Sequence, residues 1–158
     1  MKKLFISFLS IFIFTFTSLA NADSYCNKKI RLKSWKNDYL HRKDTDAEER
    51  KVTAWNTGVG NEWTVECIEG KKIKLKSWKG DYLHRKDTDA EERKVTAWGT
   101  GKGNEWTIEN VECFTETKIK LKSWKGDYLH RKDTDAEERK VTAWNTGIGN
   151  EWIVESVK

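Results

Sequence analysis

The residues best equipped for chemistry in this chain come in threes. Trp35, Asp38, Tyr39, His41, Trp55 and Asn56 recur at the same offsets as Trp78, Asp81, Tyr82, His84 and Trp98, and again as Trp124, Asp127, Tyr128, His130, Trp144 and Asn145. Only the middle set departs, with Gly99 where the others carry asparagine. Indole and phenol rings beside short polar side chains suit one kind of ligand in particular. The C–H face of a pyranose packs on an aromatic ring, while its hydroxyls need donors and acceptors such as Asp38, His41, Arg42, Asn56 and Asn61. One shallow site of this kind binds weakly, whereas three on a rigid scaffold raise avidity by ~10²–10⁴ when the ligand array permits.

These residues are carried by a unit written three times, over 32–66, 75–109 and 121–155. The second copy differs from the first at Gly80, Gly99, Lys102 and Ile108, and the third at Gly126, Ile148 and Ile153. A repeat of this kind is read as a whole, because each unit buries its apolar face only against its neighbours. Within a unit, apolar Ile30 and Leu32 alternate with charged Arg31 and Lys33, the period of a half-buried strand. That first strand is expected to run through Trp35 and to end at the Asn37-Asp38 turn. DYLHRK, KVTAW and EWTVE supply three more strands, with no proline anywhere to interrupt a ladder. The DTDAEER segments are expected to be solvated hairpin loops, since a helix there has no apolar face.

Strand parity sorts the aromatic residues. Ile30, Leu32, Leu40, Val52, Ala54, Trp63 and Val65 fall on one face with their copies, so Trp63, Trp106 and Trp152 are expected in the core. Trp35, Tyr39, His41 and Trp55 fall on the other. An aromatic cluster rimmed by charge on the polar side reads as a recognition surface.

Three four-stranded units are too few for a propeller and point to threefold closure as an all-β β-trefoil, with a three-sheet β-prism as the alternative. The motifs K-I-x-L-K-S, N/G-D-Y-L, V-T-A and N-E-W-x-V/I-E, in that order and three times, resemble the repeat of fascin-like, actin-crosslinking-type β-trefoils. The resemblance implies the trefoil fold over repeats at about 28–67, 71–113 and 117–158. Its members do many different things, so it implies little about function.

Residues 1–22 read as a secretory signal peptide: Lys2 and Lys3, an apolar stretch from Leu4 to Leu19, then Ala20-Asn21-Ala22 before a cut at Asp23. The apolar stretch is shorter than the ~20 residues a bilayer span requires. A single domain over 23–158 is then expected outside the cytoplasm, secreted or periplasmic. There Cys26, Cys67 and Cys113 allow one disulfide and leave an odd thiol, and the near-threefold relation of the three leaves the pairing open.

The formal charge of +5 is spread through interleaved Lys, Arg, Asp and Glu and forms no basic stripe, which argues against a nucleic-acid partner. Asp44, Asp46, Glu48 and Glu49 lack the spacing of a calcium loop. Ser34, His41 and Asp38 lack the strained elbow that exposes a nucleophile, and the Gly58-x-Gly60 turn precedes no helix that would cradle phosphate. No catalytic residue, metal or cofactor is therefore expected. The sequence predicts a non-enzymatic, lectin-like module binding a glycan through three equivalent sites. The alternative is a module that docks on a host surface protein, or on the actin that the resemblance implies, through the DTDAEER loops.

Overall fold

The computed structural model of the chain describes residues 22–44, 51–56, 58–87, 94–111, 116–134, 140–145 and 147–157. The expected signal segment up to Asn21, residues 45–50, 88–93 and 135–139 of the DTDAEER stretches, and Cys113 lie outside them. Ala22, just before the expected cut, is buried in a short 3-10 turn, Ala22–Tyr25.

Each unit forms the four expected strands. The first contributes β1 (Lys29–Ser34), β2 (Tyr39–Arg42), β3 (Val52–Trp55) and β4 (Trp63–Cys67). The second contributes β5 (Lys72–Ser77), β6 (Tyr82–Arg85), β7 (Val95–Trp98) and β8 (Trp106–Val111). The third contributes β9 (Lys118–Ser123), β10 (Tyr128–Arg131), β11 (Val141–Trp144) and β12 (Trp152–Ser156). Antiparallel pairing runs β1–β4–β5–β8–β9–β12 and returns to β1, closing a six-stranded barrel with no free edge. Hairpins β2–β3, β6–β7 and β10–β11 cap it, and bridges Lys51 to Thr96, Lys94 to Thr142 and Lys140 to Thr53 tie them into a ring. The architecture is a β-trefoil.

The core follows the parity of the sequence. The set headed by Ile30, Leu32, Leu40, Val52, Ala54, Trp63 and Val65 is buried in all three copies, except that Val154 is only partly so. Trp63, Trp106 and Trp152 are fully enclosed, and each indole N–H donates to the carbonyl of Leu40, Leu83 or Leu129 at 3.0–3.1 Å. Barrel strand and cap hairpin of one unit are thereby fastened together.

Parity fails at Trp35. The first strand stops at Ser34, because a turn closes there and takes Trp35 off the ladder. Ser34 N donates to Asp38 O at 2.7 Å, Asn37 N to Ser34 O at 3.0 Å, and the Ser34 hydroxyl to the Asp38 carboxylate. The turn needs a left-handed backbone at its third residue, which Asn37 adopts at φ 65° and Gly80 and Gly126 adopt at 84° and 86°. That requirement explains why these three positions hold only Asn and Gly.

Candidate functional site

Tyr39 and Trp55 are paired directly across β2 and β3, as are Tyr82 with Trp98 and Tyr128 with Trp144. Residues opposed in an antiparallel pair put their side chains on the same face. On that face the second tryptophans are strongly exposed, Trp55 at 46%, Trp98 at 47% and Trp144 at 45%. The tyrosine hydroxyl of each pair is fixed by a carboxylate from the preceding unit. Tyr39 donates to Glu155 at 3.1 Å, Tyr82 to Glu66 at 3.0 Å and Tyr128 to Glu109 at 2.9 Å. Each glutamate also lies within ion-pair distance of a lysine of the unit it reaches: Lys33 at 4.0 Å, Lys76 at 3.5 Å and Lys122 at 3.5 Å. Partial burial and the Glu155 carboxylate raise the Tyr39 pKa, and the hydrogen bond to Glu66 does the same for Tyr82, so both phenols stay protonated donors.

The result is an aromatic platform rimmed by a carboxylate and an ammonium, built three times at the junctions between units. Glu66, Glu109, Glu155 and their lysines were not among the expected site residues. Their only signal in the sequence is that the last Glu of N-E-W-x-V/I-E recurs in every copy.

His41, His84 and His130 lie on the same strand face but turn to a different partner. Nδ1 of each meets the side-chain oxygen of Asn61, Asn104 or Asn150 at 2.6–2.7 Å. Because an amide oxygen accepts, Nδ1 carries the proton and Nε2 is left as an acceptor. Burial lowers the pKa of all three, outweighing the asparagine bond, and the adjacent Lys and Arg push the same way. The rings pack on short 3-10 turns, Val59–Asn61, Lys102–Asn104 and Ile148–Asn150. Glycine is required at 60, 103 and 149, where an added Cβ would lie 2.3–2.4 Å from the carbonyl of Arg42, Arg85 or Arg131. The Gly58-x-Gly60 motif therefore seats a histidine.

Three expected site residues must be reassigned. Asp38, Asp81 and Asp127 are buried, and each forms a forked ion pair with an arginine of another unit: Arg131 to Asp38, Arg42 to Asp81 and Arg85 to Asp127, all with Nη2–Oδ2 at 2.8 Å. Nε of the same arginines donates to the same carboxylates at 3.0–3.3 Å. These aspartates hold the units together across each boundary. Arg42 leaves the candidate donors for the same reason, and Asn61, buried against His41, leaves the candidate acceptors. Asn56 and Asn145 are exposed beside the platform tryptophans.

Trp35 belongs to a second grouping. Freed from the strand by the Ser34–Asp38 turn, it leans on the preceding unit, with its indole N–H 3.4 Å from the Arg131 carbonyl. Lysines beside Trp35, Trp78 and Trp124 sit 5.0–5.1 Å from the ring centroids. They also pair with aspartates of the preceding unit, Lys36 with Asp133, Lys79 with Asp44 and Lys125 with Asp87. The four residues expected to share one face are thus split: Tyr39 with Trp55, His41 on its turn, Trp35 across the unit boundary.

Ser34 is buried and bonded to Asp38, while His41 faces Asn61, so these residues do not line up as nucleophile and base. Among the described residues no cluster of His, Cys, Asp and Glu is arranged to hold a metal. No described helix is long and apolar enough to cross a membrane. Cys26 and Cys67 form a disulfide. The pairing between β1 and β4 brings them together, continued by Asn27 N to Val65 O at 2.8 Å.

A family model described as a beta-trefoil domain of unknown function (DUF569) matches residues 24–134. The chain belongs to this DUF569 family. No curated protein matches it. Among solved structures, the designed threefold-symmetric ThreeFoil superposes with TM-score 0.70 at 13% identity, covering 82% of this chain and 99% of that one. The Macrolepiota procera ricin B-like lectin, solved in complex with lactose, gives 0.66 at 19%, covering 82% and 96%. The Polyporus squamosus lectin gives 0.69 at 14%, covering 83% of this chain but 49% of that one. At such identities the likeness establishes the DUF569 chain's fold and leaves its ligand to its own surface.

Proposed function

We propose that the chain is a non-enzymatic, extracytoplasmic carbohydrate-binding module whose sites are the three platforms Tyr39–Trp55–Glu155, Tyr82–Trp98–Glu66 and Tyr128–Trp144–Glu109. The observation that carries this reading is the exposed indole beside a phenol and carboxylate already fixed in place. The exposed ring takes a sugar's C–H face, the glutamate accepts from its hydroxyls and the lysine donates to them. Because the rim groups hold one another before ligand arrives, little side-chain entropy is lost on binding. Two structural neighbours are lectins solved with sugars bound, which supports the class and not the particular sugar. The Cys26–Cys67 disulfide suits an oxidising compartment, as the expected signal segment does.

Glycan-array binding of the folded chain tests the proposal. Binding to at least one glycan class, lost on joint replacement of Trp55, Trp98 and Trp144 by alanine, is the expected result. A folded chain that binds no glycan refutes it. The docking of a protein partner on the DTDAEER loops, including the actin reading of the fascin-type resemblance, predicts capture that depends on those loops and is indifferent to the three tryptophans.

A further inference from the structure

The three units are near-copies, yet one junction differs in charge. Position 59 of the first 3-10 turn is Val59, its third-unit counterpart is Ile148, and the middle unit has Lys102. All three side chains are exposed, Val59 at 63% and Ile148 at 65%. The Lys102 ammonium lies 4.9 Å from the centroid of Trp124, the first tryptophan of the following unit. Trp124 has its own neighbour Lys125 at 5.1 Å, but Lys125 is paired with Asp87 at 2.6 Å. Lys102 has no carboxylate within ion-pair distance among the described residues, so its only described partner is the ring. An exposed cation on an aromatic face gains less than a charge-assisted bond to a carboxylate offers.

A second difference concerns the ring itself. The indole N–H of Trp35 has the Arg131 carbonyl at 3.4 Å, whereas the indole N–H of Trp124 is buried with no acceptor. Among the described residues Trp124 is flanked by Lys102 and Lys125 and makes no directional bond through its indole N–H. An aromatic ring next to an unpaired ammonium matches a sugar that carries an acid: the ring stacks under the pyranose and the ammonium meets the carboxylate.

We infer that the junction of Lys102 and Trp124 is a separate subsite for a carboxylate-bearing saccharide, and that Lys102 is the residue that selects the acid. The inference rests on the carbohydrate-binding reading but uses residues outside the three platforms. At the other two junctions Val59 and Ile148 carry no charge to make the same selection, so the acidic preference belongs to one junction of three.

The test compares trigalacturonic acid with its neutral methyl ester, by titration calorimetry on the wild-type chain and on Lys102→Val, and on an array carrying other acids and their esters. The wild type is expected to bind the acid about tenfold more tightly than the ester, with the margin shrinking as salt rises. Lys102→Val removes the margin between acid and ester. Val59→Lys, at an exposed position that leaves folding intact, adds a second acid-selective site beside Trp78. An acid preference that survives Lys102→Val, or binding of neutral glycans with no acid preference anywhere, overturns the inference while leaving the platform reading standing. Absence of binding to any glycan removes both.

Discussion

Two sets of tryptophans in this molecule share chemistry and copy number and differ in everything else. Trp63, Trp106 and Trp152 have no exposed surface, while Trp55, Trp98 and Trp144 keep nearly half of theirs. The buried set alternates with Val65, Ile108 and Val154 on barrel strands, and each indole N–H is spent on a backbone carbonyl. The exposed set ends a hairpin strand beside a tyrosine whose hydroxyl a neighbouring unit holds. What separates enclosed from exposed indole is therefore strand parity together with which unit supplies the polar partner.

Substitution at the two sets should separate them sharply. Trp63→Ala should cost about 3–5 kcal/mol in denaturant unfolding, through lost burial, a cavity and an orphaned Leu40 carbonyl. Trp55→Ala should stay within about 0.5 kcal/mol, as surface changes away from special features do. Comparable losses at both positions would erase the distinction.

The ring of Arg–Asp pairs extends the comparison to polar groups. Asp81→Ala should cost about 3–5 kcal/mol, because it strands the Arg42 guanidinium in a site that excludes water. Joint replacement of Arg42 and Asp81 by apolar residues of similar size should recover most of that loss, seen as a return of the urea midpoint. Reduction of Cys26–Cys67, which closes a loop of 41 residues, should destabilise by about 4 kcal/mol on the chain-entropy account.

The smallest expected effect is of pH. The folded chain lowers the pKa of His41, His84 and His130, so the unfolded chain takes up protons more readily. Their contribution to stability is complete above the ordinary histidine value of about 6.5 and falls as pH drops through it. The urea midpoint should decline modestly between pH 7.5 and 5, and His→Gln variants that keep the bond to asparagine should flatten the decline.

The fold was largely legible because the core depends on periodicity within one unit: the alternation around Ile30, Leu32, Trp63 and Val65 names the buried face directly. The candidate site was legible only where its parts lie in one unit, as the opposed Tyr39 and Trp55 do. Asp38 reads as a surface acceptor because its partner, Arg131, is 93 residues away, and Glu155 is not singled out because Tyr39 is 116 residues away. Trp35 defeated parity because Ser34 and Asp38 close a turn through side-chain bonds that a period-two pattern does not register. The cysteine pair was undetermined for a related reason: threefold near-symmetry leaves the choice to the local pairing of β1 with β4.

On the proposed reading the exposed indoles, and not the enclosed ones, meet the ligand. Two-dimensional amide NMR with assigned tryptophan side chains, recorded as a glycan that binds on the array is added, tests it directly. The indole N–H signals of Trp55, Trp98 and Trp144 should move in proportion to bound glycan while those of Trp63, Trp106 and Trp152 stay fixed. Saturable binding that leaves the first three signals unmoved would contradict the account.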